Sequence, residues 1–359
     1  MAFQRIRDSV LRNTRRLGDI SGILERRKFQ HLRAEFYAEL WRTAAAEVGA
    51  ELTQMDAGLT KIQRGDLATF VDRSELMLDD DLTTRIMADK ALTFELFSSK
   101  GYRVPERCAY TMARLDDAEA FLTKHPQNVV VKPASGTGGG RGVTTGISTV
   151  ASLHNASKHA AGFNPNLLVE EQLTGNSYRL LYLDGTFIDA VRRDAPMVVG
   201  DGQLTVRQLI AKENQRRRTE RPITALSPLI VDKDCRNTLA QKDLNPNSRP
   251  LAGETIQVKT AVNENAAAQN HNVRDDIHPT AIEAGAKLVS DLGVRFAGVD
   301  LTSDDISAPL DKSNAFFNEI NVNPGIHHHY LIGNLEKGAP VATLILEHLF
   351  LQRQGVMVL

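Results

Sequence analysis

The sequence predicts a mixed fold of helices and short strands, and three observations carry that reading. Phe36, Tyr37, Leu40, Trp41, Ala44 and Val48 recur at helical spacing with polar residues between them. Short β-branched runs end in a charged residue, as in Val129-Val130-Val131-Lys132. The arms Tyr178 to Leu183 and Thr186 to Arg193 flank Asp184-Gly185, the pair favoured in two-residue type I′ hairpin turns. At 359 residues the chain is long enough for two or three domains and a large core. A net charge of -1 excludes a global pull toward nucleic acid or an anionic membrane. Two cysteines, Cys108 and Cys235, cannot build a disulfide framework or a zinc site, which points to a reducing, cytoplasmic setting. No apolar run approaches the ~20 residues of a membrane span. The basic N-terminus (Arg5, Arg7, Arg12, Arg15, Arg16) is interrupted by Asp8 and Asp19 and reads as a solvated helix rather than a targeting segment.

In chain order, the 34–48 stripe is a core-facing helix. Glu51 to Met55 and Leu67 to Val71 follow as short strands, with Asp56-Ala57-Gly58 turning the chain. A helix is expected from Asp81 to about Lys100, with Gly101 as a left-handed cap and Lys90 inside it beside Asp89. A second, about Asp116 to Lys124, leads into the strand that ends at Lys132. The loop from Ala134 to Gly142 comes straight after; its glycines permit close backbone approach, so successive N–H groups can wrap phosphate oxygens. It lacks the Gly-Lys-Ser/Thr ending of a P-loop, and taken alone it fits a flexible connection equally well.

Leu167 to Glu171 is the next strand, followed by the hairpin. The turn sets Leu183 opposite Thr186 and Arg179 opposite Ala190, so Arg179 and Arg192 share a face while Arg193 points the other way. Two arginines on one face either bracket an anion or reach solvent separately. Thr205 to Gln208 fits a capping box, and Arg216, Arg217 and Arg218 read as surface charges complementing the helix dipole. Residues 221–275 lack periodicity apart from a strand near Thr255 to Ala261. Pro279 to Leu292 is helical, and Val294 to Leu301 is a strand ending in Asp300. In Phe317 to Gly325, alternation puts Glu319, Asn321 and Asn323 on one face and Ile320 and Val322 on the other. A carboxylate and two amides suit a hard cation such as Mg²⁺, but an edge strand with one wet face has the same pattern. His327-His328-His329, if extended, cannot share one ion, and one of them is expected to line a substrate pocket.

The order of these parts resembles the ATP-grasp superfamily, above all the ATP-grasp domains of cyanophycin synthetases and bifunctional glutathione synthetases. The resemblance runs from about Ala44 to Gly325. It rests on Asp89-Lys90, Gly101 to Pro105, Val131-Lys132-Pro133 with the glycine loop, Val169-Glu170-Glu171, Tyr178 to Leu181, and Arg192-Arg193 before Val199 to Gly202. Asp276 to Pro279, Gly298-Val299-Asp300 and Glu319-Ile320-Asn321 with Pro324-Gly325 complete it. It departs at Asn176-Ser177, where relatives carry an acid for the ribose, and at Lys259, where cyanophycin synthetases keep an arginine before the asparagine loop.

The resemblance implies two α+β subdomains clasping ATP, at 85–173 and 174–359, after a small N-terminal α/β region at 1–84. Lys90, Lys132, Ser135, Gly136, Gly138, Gly139, Gly140, Glu170, Glu171, Leu173 and Ser177 would hold the nucleotide. Asp300, Glu319 and Asn321 would hold two Mg²⁺ ions, with Mn²⁺ an acceptable substitute. Arg179 and Arg192 would clamp a carboxylate or acyl phosphate, and Lys259, Asn263, Asn323, Gly325 and His328 would line the substrate site. The implied activity is ATP-dependent ligation of a small carboxylate, an amino acid or peptide, to an amine. The alternatives are a small-molecule kinase and a non-catalytic ATP-binding protein. A free-standing chain points to a dipeptide or peptide-tailoring ligase, as a monomer or homodimer, acting on neither nucleic acid nor membrane.

Overall fold

The computed structural model describes residues 20–56, 58–135, 142–311 and 315–359. The basic N-terminal stretch, Ala57 and the loop glycines Gly136, Gly138, Gly139 and Gly140 lie outside the described residues. The described chain opens with helices α1 (Ile20–Arg27) and α2 (Gln30–Glu47) and an antiparallel meander of β1 (Glu51–Gln54), β2 (Thr60–Arg64) and β3 (Leu67–Val71). The stripe on α2 is buried as its spacing requires, with Tyr37, Leu40, Trp41 and Ala44 in the core.

The single helix expected from Asp81 to Lys100 is two, α3 (Asp81–Ala88) and α4 (Lys90–Ser99). Asp89 breaks it: its backbone is extended and its carboxylate accepts from the amides of Ala91 and Leu92, capping α4. Lys90 is therefore the first residue of α4, at a turn. Gly101, at φ +79°, closes α4 in the left-handed conformation its position asks for.

Strands β4 (Arg107–Thr111), β5 (Val129–Pro133), β6 (Thr144–Ile147) and β7 (Asn166–Glu171) form an antiparallel sheet in the order β4-β7-β5-β6. Helices α5 (Leu115–Lys124) and α6 (Val150–Ala160) seal its apolar side through Phe121, Leu122, Leu153 and Ala156. The hairpin of β8 (Asn176–Leu183) and β9 (Thr186–Arg193) follows. A satellite unit then pairs β10 (Met197–Val199) with β11 (Thr255–Gln257), packed by α7 (Val206–Thr219) and α8 (Lys233–Ala240). Two expectations change here. The strand near 255–261 is three residues long, and α8, capped by Asp232, interrupts a region that shows no periodicity. Arg217 is no surface charge: it is 1% exposed and donates to Glu213 and to the carbonyls of Ser227 and Glu264.

The central sheet adds β12 (Asn270–Asn272), β13 (Phe296–Ser303) and β14 (Ala315–Val322) to the hairpin, in the order β12-β9-β8-β13-β14, all antiparallel. Helix α9 (Pro279–Asp291) covers one face with Leu288 and Val289 against Tyr182, Val299 and Ile320. Strand β13 runs on to Ser303, so Asp300 lies within it rather than at its end. The chain then returns to its start. Helix α10 (Val341–Gln352) packs on α2, and β15 (Met357–Val358) pairs with β3, so the last residues add to the N-terminal unit although the sequence placed them with the third region. Among the described residues no helix is long and apolar enough to cross a membrane.

Candidate active site

The site is built on the face of the central sheet opposite α9, and its register decides which arginines reach it. The hairpin begins as predicted, with Leu183 opposite Thr186. A bulge between Leu181 and Tyr182 then shifts the pairing by one, so Arg179 lies opposite Val191 instead of Ala190. A one-residue slip transfers every later side chain to the other face. Arg193, not Arg192, therefore shares a face with Arg179. Burial agrees: Arg179 and Arg193 are 7% and 3% exposed, whereas Arg192 is half-buried and paired with Asp194 at 3.0 and 3.1 Å. The expected Arg179–Arg192 pair is thus corrected to Arg179–Arg193. No residue of the hairpin announces the bulge.

Two rows of side chains cross the sheet. In the first, Val191, Arg179, Asp300 and Glu319 are neighbours on four successive strands. Arg179 donates to both Asp300 oxygens, at 2.7 and 2.6 Å, in a bidentate pair. In the second, Arg193, Ser177 and Thr302 align, and Asn318, the extra residue of a bulge in β14, donates to Thr302 Oγ1 at 2.6 Å. Gly298 lets these rows form, since a Cβ there would meet Pro324 at 2.8 Å and Arg179 Cδ at 3.2 Å. Asn321 approaches Asp300 Oδ2 with its amide nitrogen at 3.3 Å.

The facing sheet supplies Lys132 and Glu170, bonded at 2.5 Å on adjacent strands β5 and β7. Lys90 bridges toward the central sheet, donating to Glu319 Oε1 at 2.6 Å. Its backbone amide also bonds the carbonyl of Ala134, where the glycine loop begins. Ser135 is held by Asn164, which donates to its carbonyl and hydroxyl. Glu171 faces away from this cluster and accepts from the Glu106 amide at 2.9 Å, and Leu173 follows just past β7.

Electrostatics separates the cations. Burial disfavours the charge on Lys132, and Glu170 does not fully offset it, so its pKa falls below the ordinary lysine value. Burial acts likewise on Lys90 and Arg179, but Glu319 outweighs it for the first and Asp300 for the second, and both are raised. Burial works against the Asp300 carboxylate, yet Arg179 holds it below the usual range. Arg193 is different: burial first, then Arg179, press its pKa down, and among the described residues no carboxylate pairs with it. Its Nε is buried without a partner, as are Glu170 Oε2 and Asn318 Oδ1.

The histidines form a short 3₁₀ turn, Ile326–His329, rather than an extended run, and each goes its own way. His329 Nδ1 meets Asp189 at 2.7 Å, both fully buried, and Asp189 is further bonded by Asn272. His328 Nε2 lies 3.4 Å from Arg193, and His327 Nδ1 meets the Tyr37 hydroxyl at 3.0 Å. Burial, reinforced by nearby arginines, pushes the pKa of His327 and of His328 well below the ordinary histidine value. Asn263 accepts from Arg193 at 3.0 Å and lines a small pocket with His327 and His328. The ring of His327 fills the space a Cβ on Gly325 would need. Two expected substrate residues are differently engaged. Lys259 bridges Asp232 and Glu264 at 2.7 and 2.8 Å, and Asn323, at φ +49°, caps the Leu76 amide of the N-terminal unit. Sequence reasoning set Arg193 aside as pointing the other way and read Tyr37 as core packing only, and it gave Asn318 and Asp189 no role.

For a metal the donor set fits in kind. Asp300, Glu319 and Asn321 carry oxygen donors on paired strands, as a hard divalent cation requires, but Asn321 turns its amide nitrogen toward Asp300, so its amide would rotate to bring the oxygen to an ion. Among the described residues no three His, Cys, Asp or Glu side chains converge, so Asn321, water and ligand oxygens would complete the shell.

No protein-family model matches the chain. It is 26% identical over 292 residues to cyanophycin synthetase of Trichormus variabilis, covering 80% of this chain and 31% of the relative. It is 28% identical over 297 residues to the glutathione biosynthesis bifunctional protein of Streptococcus thermophilus, covering 81% of this chain and 39% of the relative. The chain thus spans less than half the length of these relatives. Among solved structures it is similar to the bifunctional glutathione synthetase from Pasteurella multocida, with a TM-score of 0.54 and 22% identity over 85% of this chain and 42% of that one. The fold is ATP-grasp. In this ATP-grasp chain the two sheets that carry Lys132–Glu170 and Arg179–Asp300–Glu319 are brought together by Lys90.

Proposed function

We propose that the chain is an ATP-dependent carboxylate–amine ligase, forming an amide through an acyl phosphate with release of ADP and phosphate. The observation that carries this is Arg193: a buried guanidinium beside the Arg179–Asp300 pair, with no carboxylate of its own among the described residues and an unpartnered Nε. A buried cation left unpaired is costly, and an anionic reactant relieves it. A guanidinium pairs bidentately with a carboxylate or a phosphate, so Arg193 together with Arg179 suits both the substrate acid and its phosphorylated form.

Lys90 and Lys132 would take nucleotide phosphates, with the glycine loop, including Gly136, Gly138, Gly139 and Gly140, closing over them. Glu170 Oε2, buried and unpartnered, is an acceptor suited to the exocyclic amine of adenine. Ser177, opposite Arg193 in the hairpin, would contribute to the ribose or phosphate region. Asp300, Glu319 and Asn321 would hold Mg²⁺, which when bound neutralises the phosphates and aligns the transferring group. Arg179 and Lys90 would then exchange protein carboxylates for ligand oxygens. These side chains position reactants and stabilise charge, and no covalent protein nucleophile is required. The sequence relatives, cyanophycin synthetase and the glutathione biosynthesis protein, support amino-acid or peptide substrates.

The test is hydroxamate formation. Purified protein with ATP, Mg²⁺, hydroxylamine and each amino acid in turn should yield a hydroxamate and stoichiometric ADP for at least one acid, and none after chelation. ADP release without any hydroxamate would instead favour a kinase acting on a hydroxyl.

A further inference from the structure

Two short turns meet on the Arg193 guanidinium. Its Nη2 donates to Asn263 Oδ1 at 3.0 Å and approaches His328 Nε2 at 3.4 Å. A guanidinium has donors only, so His328 Nε2 is the unprotonated ring nitrogen and the ring carries no charge. Burial presses the pKa of His328 in the same direction. Both holders of Arg193 are therefore neutral. Next to each stands a buried charged neighbour that fixes its turn. In the 3₁₀ turn Val262–Glu264, the Glu264 carboxylate accepts from Lys259 at 2.8 Å and from the Ile230 amide at 2.9 Å, and its carbonyl accepts from Arg217 at 2.8 Å. In the turn Ile326–His329, His329 meets Asp189 at 2.7 Å, and Asp189 lies on β9, the strand of Arg193 itself. The Tyr37 hydroxyl steadies His327, whose ring lies 4.0 Å from that of His328. Lys259, expected to touch substrate, anchors the first turn instead.

We infer that Asn263 and His328 are positioning residues for Arg193: they fix its guanidinium through neutral acceptors, so that its charge stays available to the anionic reactant. The inference rests on the ligase reading. A carboxylate in either place would give the buried guanidinium a permanent partner and compete with the substrate anion. With no acceptor at all, the side chain would drift from the geometry that bidentate binding requires. An amide oxygen and an imidazole nitrogen avoid both results. They orient the cation without neutralising it. The buried pairs Lys259–Glu264 and Asp189–His329 keep the two turns, and hence the acceptors, in place.

The isosteric change Asn263→Asp is the test, because it adds a charge without changing shape. It should raise the thermal midpoint, since buried Arg193 gains a carboxylate. With an acid identified by hydroxamate formation, it should also lower kcat/KM for that acid by about tenfold or more. ATP binding by calorimetry should be unchanged. In an Arg193→Met background the effect on the midpoint should reverse sign, because the new carboxylate is then buried alone. The same sign in both backgrounds overturns the coupling of Asn263 to Arg193, and an unmoved kcat/KM overturns its part in holding the acid. His328→Leu should lower kcat/KM for the acid about five- to tenfold, the effect of one lost hydrogen bond, and His328→Gln should recover most of it by restoring a neutral acceptor. Equal loss in both variants overturns the role of His328. The midpoint cycle needs no substrate, so it tells a failure of the Asn263–Arg193 contact from a failure of the ligase reading. Absence of hydroxamate with every acid in the wild type overturns that reading and, with it, the purpose given to these two residues.

Discussion

The two sheets that carry the candidate site handle buried charge in opposite ways. The β4-β7-β5-β6 sheet pairs Lys132 with Glu170, and there burial wins and the lysine pKa is pressed down. The central sheet lines up Arg179, Asp300 and Glu319, with Lys90 reaching in, and there mutual attraction wins: Arg179 and Lys90 are raised and Asp300 is lowered. A row of alternating charges shares its desolvation cost among several partners, which an isolated pair cannot do. The charges of that row are thus satisfied by one another, whereas Lys132 is left partly uncompensated. Arg193, in the neighbouring row with Ser177 and Thr302, is buried beside Arg179 yet has no carboxylate among the described residues.

Asp300→Asn tests the row most severely. It strips the paired charge from buried Arg179, and breaking such a pair costs about 3–5 kcal/mol, so denaturant melts should show a large loss together with abolished turnover. Near-wild-type stability would mean the row is not a unit. The same residue gives the pH test. Because its folded pKa is depressed, its stabilisation is complete above the unfolded value of about 4 and disappears as pH falls through the lower folded value. Stability measured from pH 5 to 2 should therefore fall more steeply in the wild type than in Asp300→Asn.

Next in size is the contrast within the hairpin. Arg193→Ala should lower kcat by about 10²–10³, the usual effect of removing a group that stabilises developing charge. Arg192→Ala, already paired with Asp194 on the other face, should change kcat less than about fivefold. The reverse order would show that the bulged register is wrong. Lys132→Met should weaken ATP binding by calorimetry about 10- to 100-fold, in line with one lost charge-assisted hydrogen bond. Because it leaves the buried Glu170 carboxylate without its cation, it should also lower stability, and a double variant Lys132→Met/Glu170→Gln should recover most of that loss but not the ATP binding. The smallest effect expected is from Tyr37→Phe, which removes one hydrogen bond to His327 and should cost about 1 kcal/mol in thermal unfolding.

Much of this was legible in the residues themselves. The α2 stripe, the Val-rich strand before Lys132, the Asp184-Gly185 turn, the Thr205–Gln208 capping box and the alternation around Glu319 are local patterns, and the structure realises each of them. Local patterns are readable because the chain's own periodicity decides which side of an element is apolar. Asp89 could have been read as a cap, and its break of the helix is a local event that the long apolar pattern concealed.

What tertiary structure alone decided is a matter of long-range register and company. The bulge in the β8–β9 pairing, which leaves Ile188 of β9 without a partner opposite Leu181–Tyr182, exchanges Arg192 for Arg193 without any mark in the sequence. Arg217, read as a surface charge, is buried because Glu264 and Ser227 come to it from distant loops. Asn323 and His327 are taken up by Leu76 and Tyr37 because the N-terminal unit packs against the end of β14, through contacts between residues 247 and 290 positions apart. By itself the sequence determined which residues carry charge and which stretches form strands and helices. Which charges meet depended on how the sheets pair and pack, since a single-residue slip or a distant loop changes a side chain's partners without changing its identity.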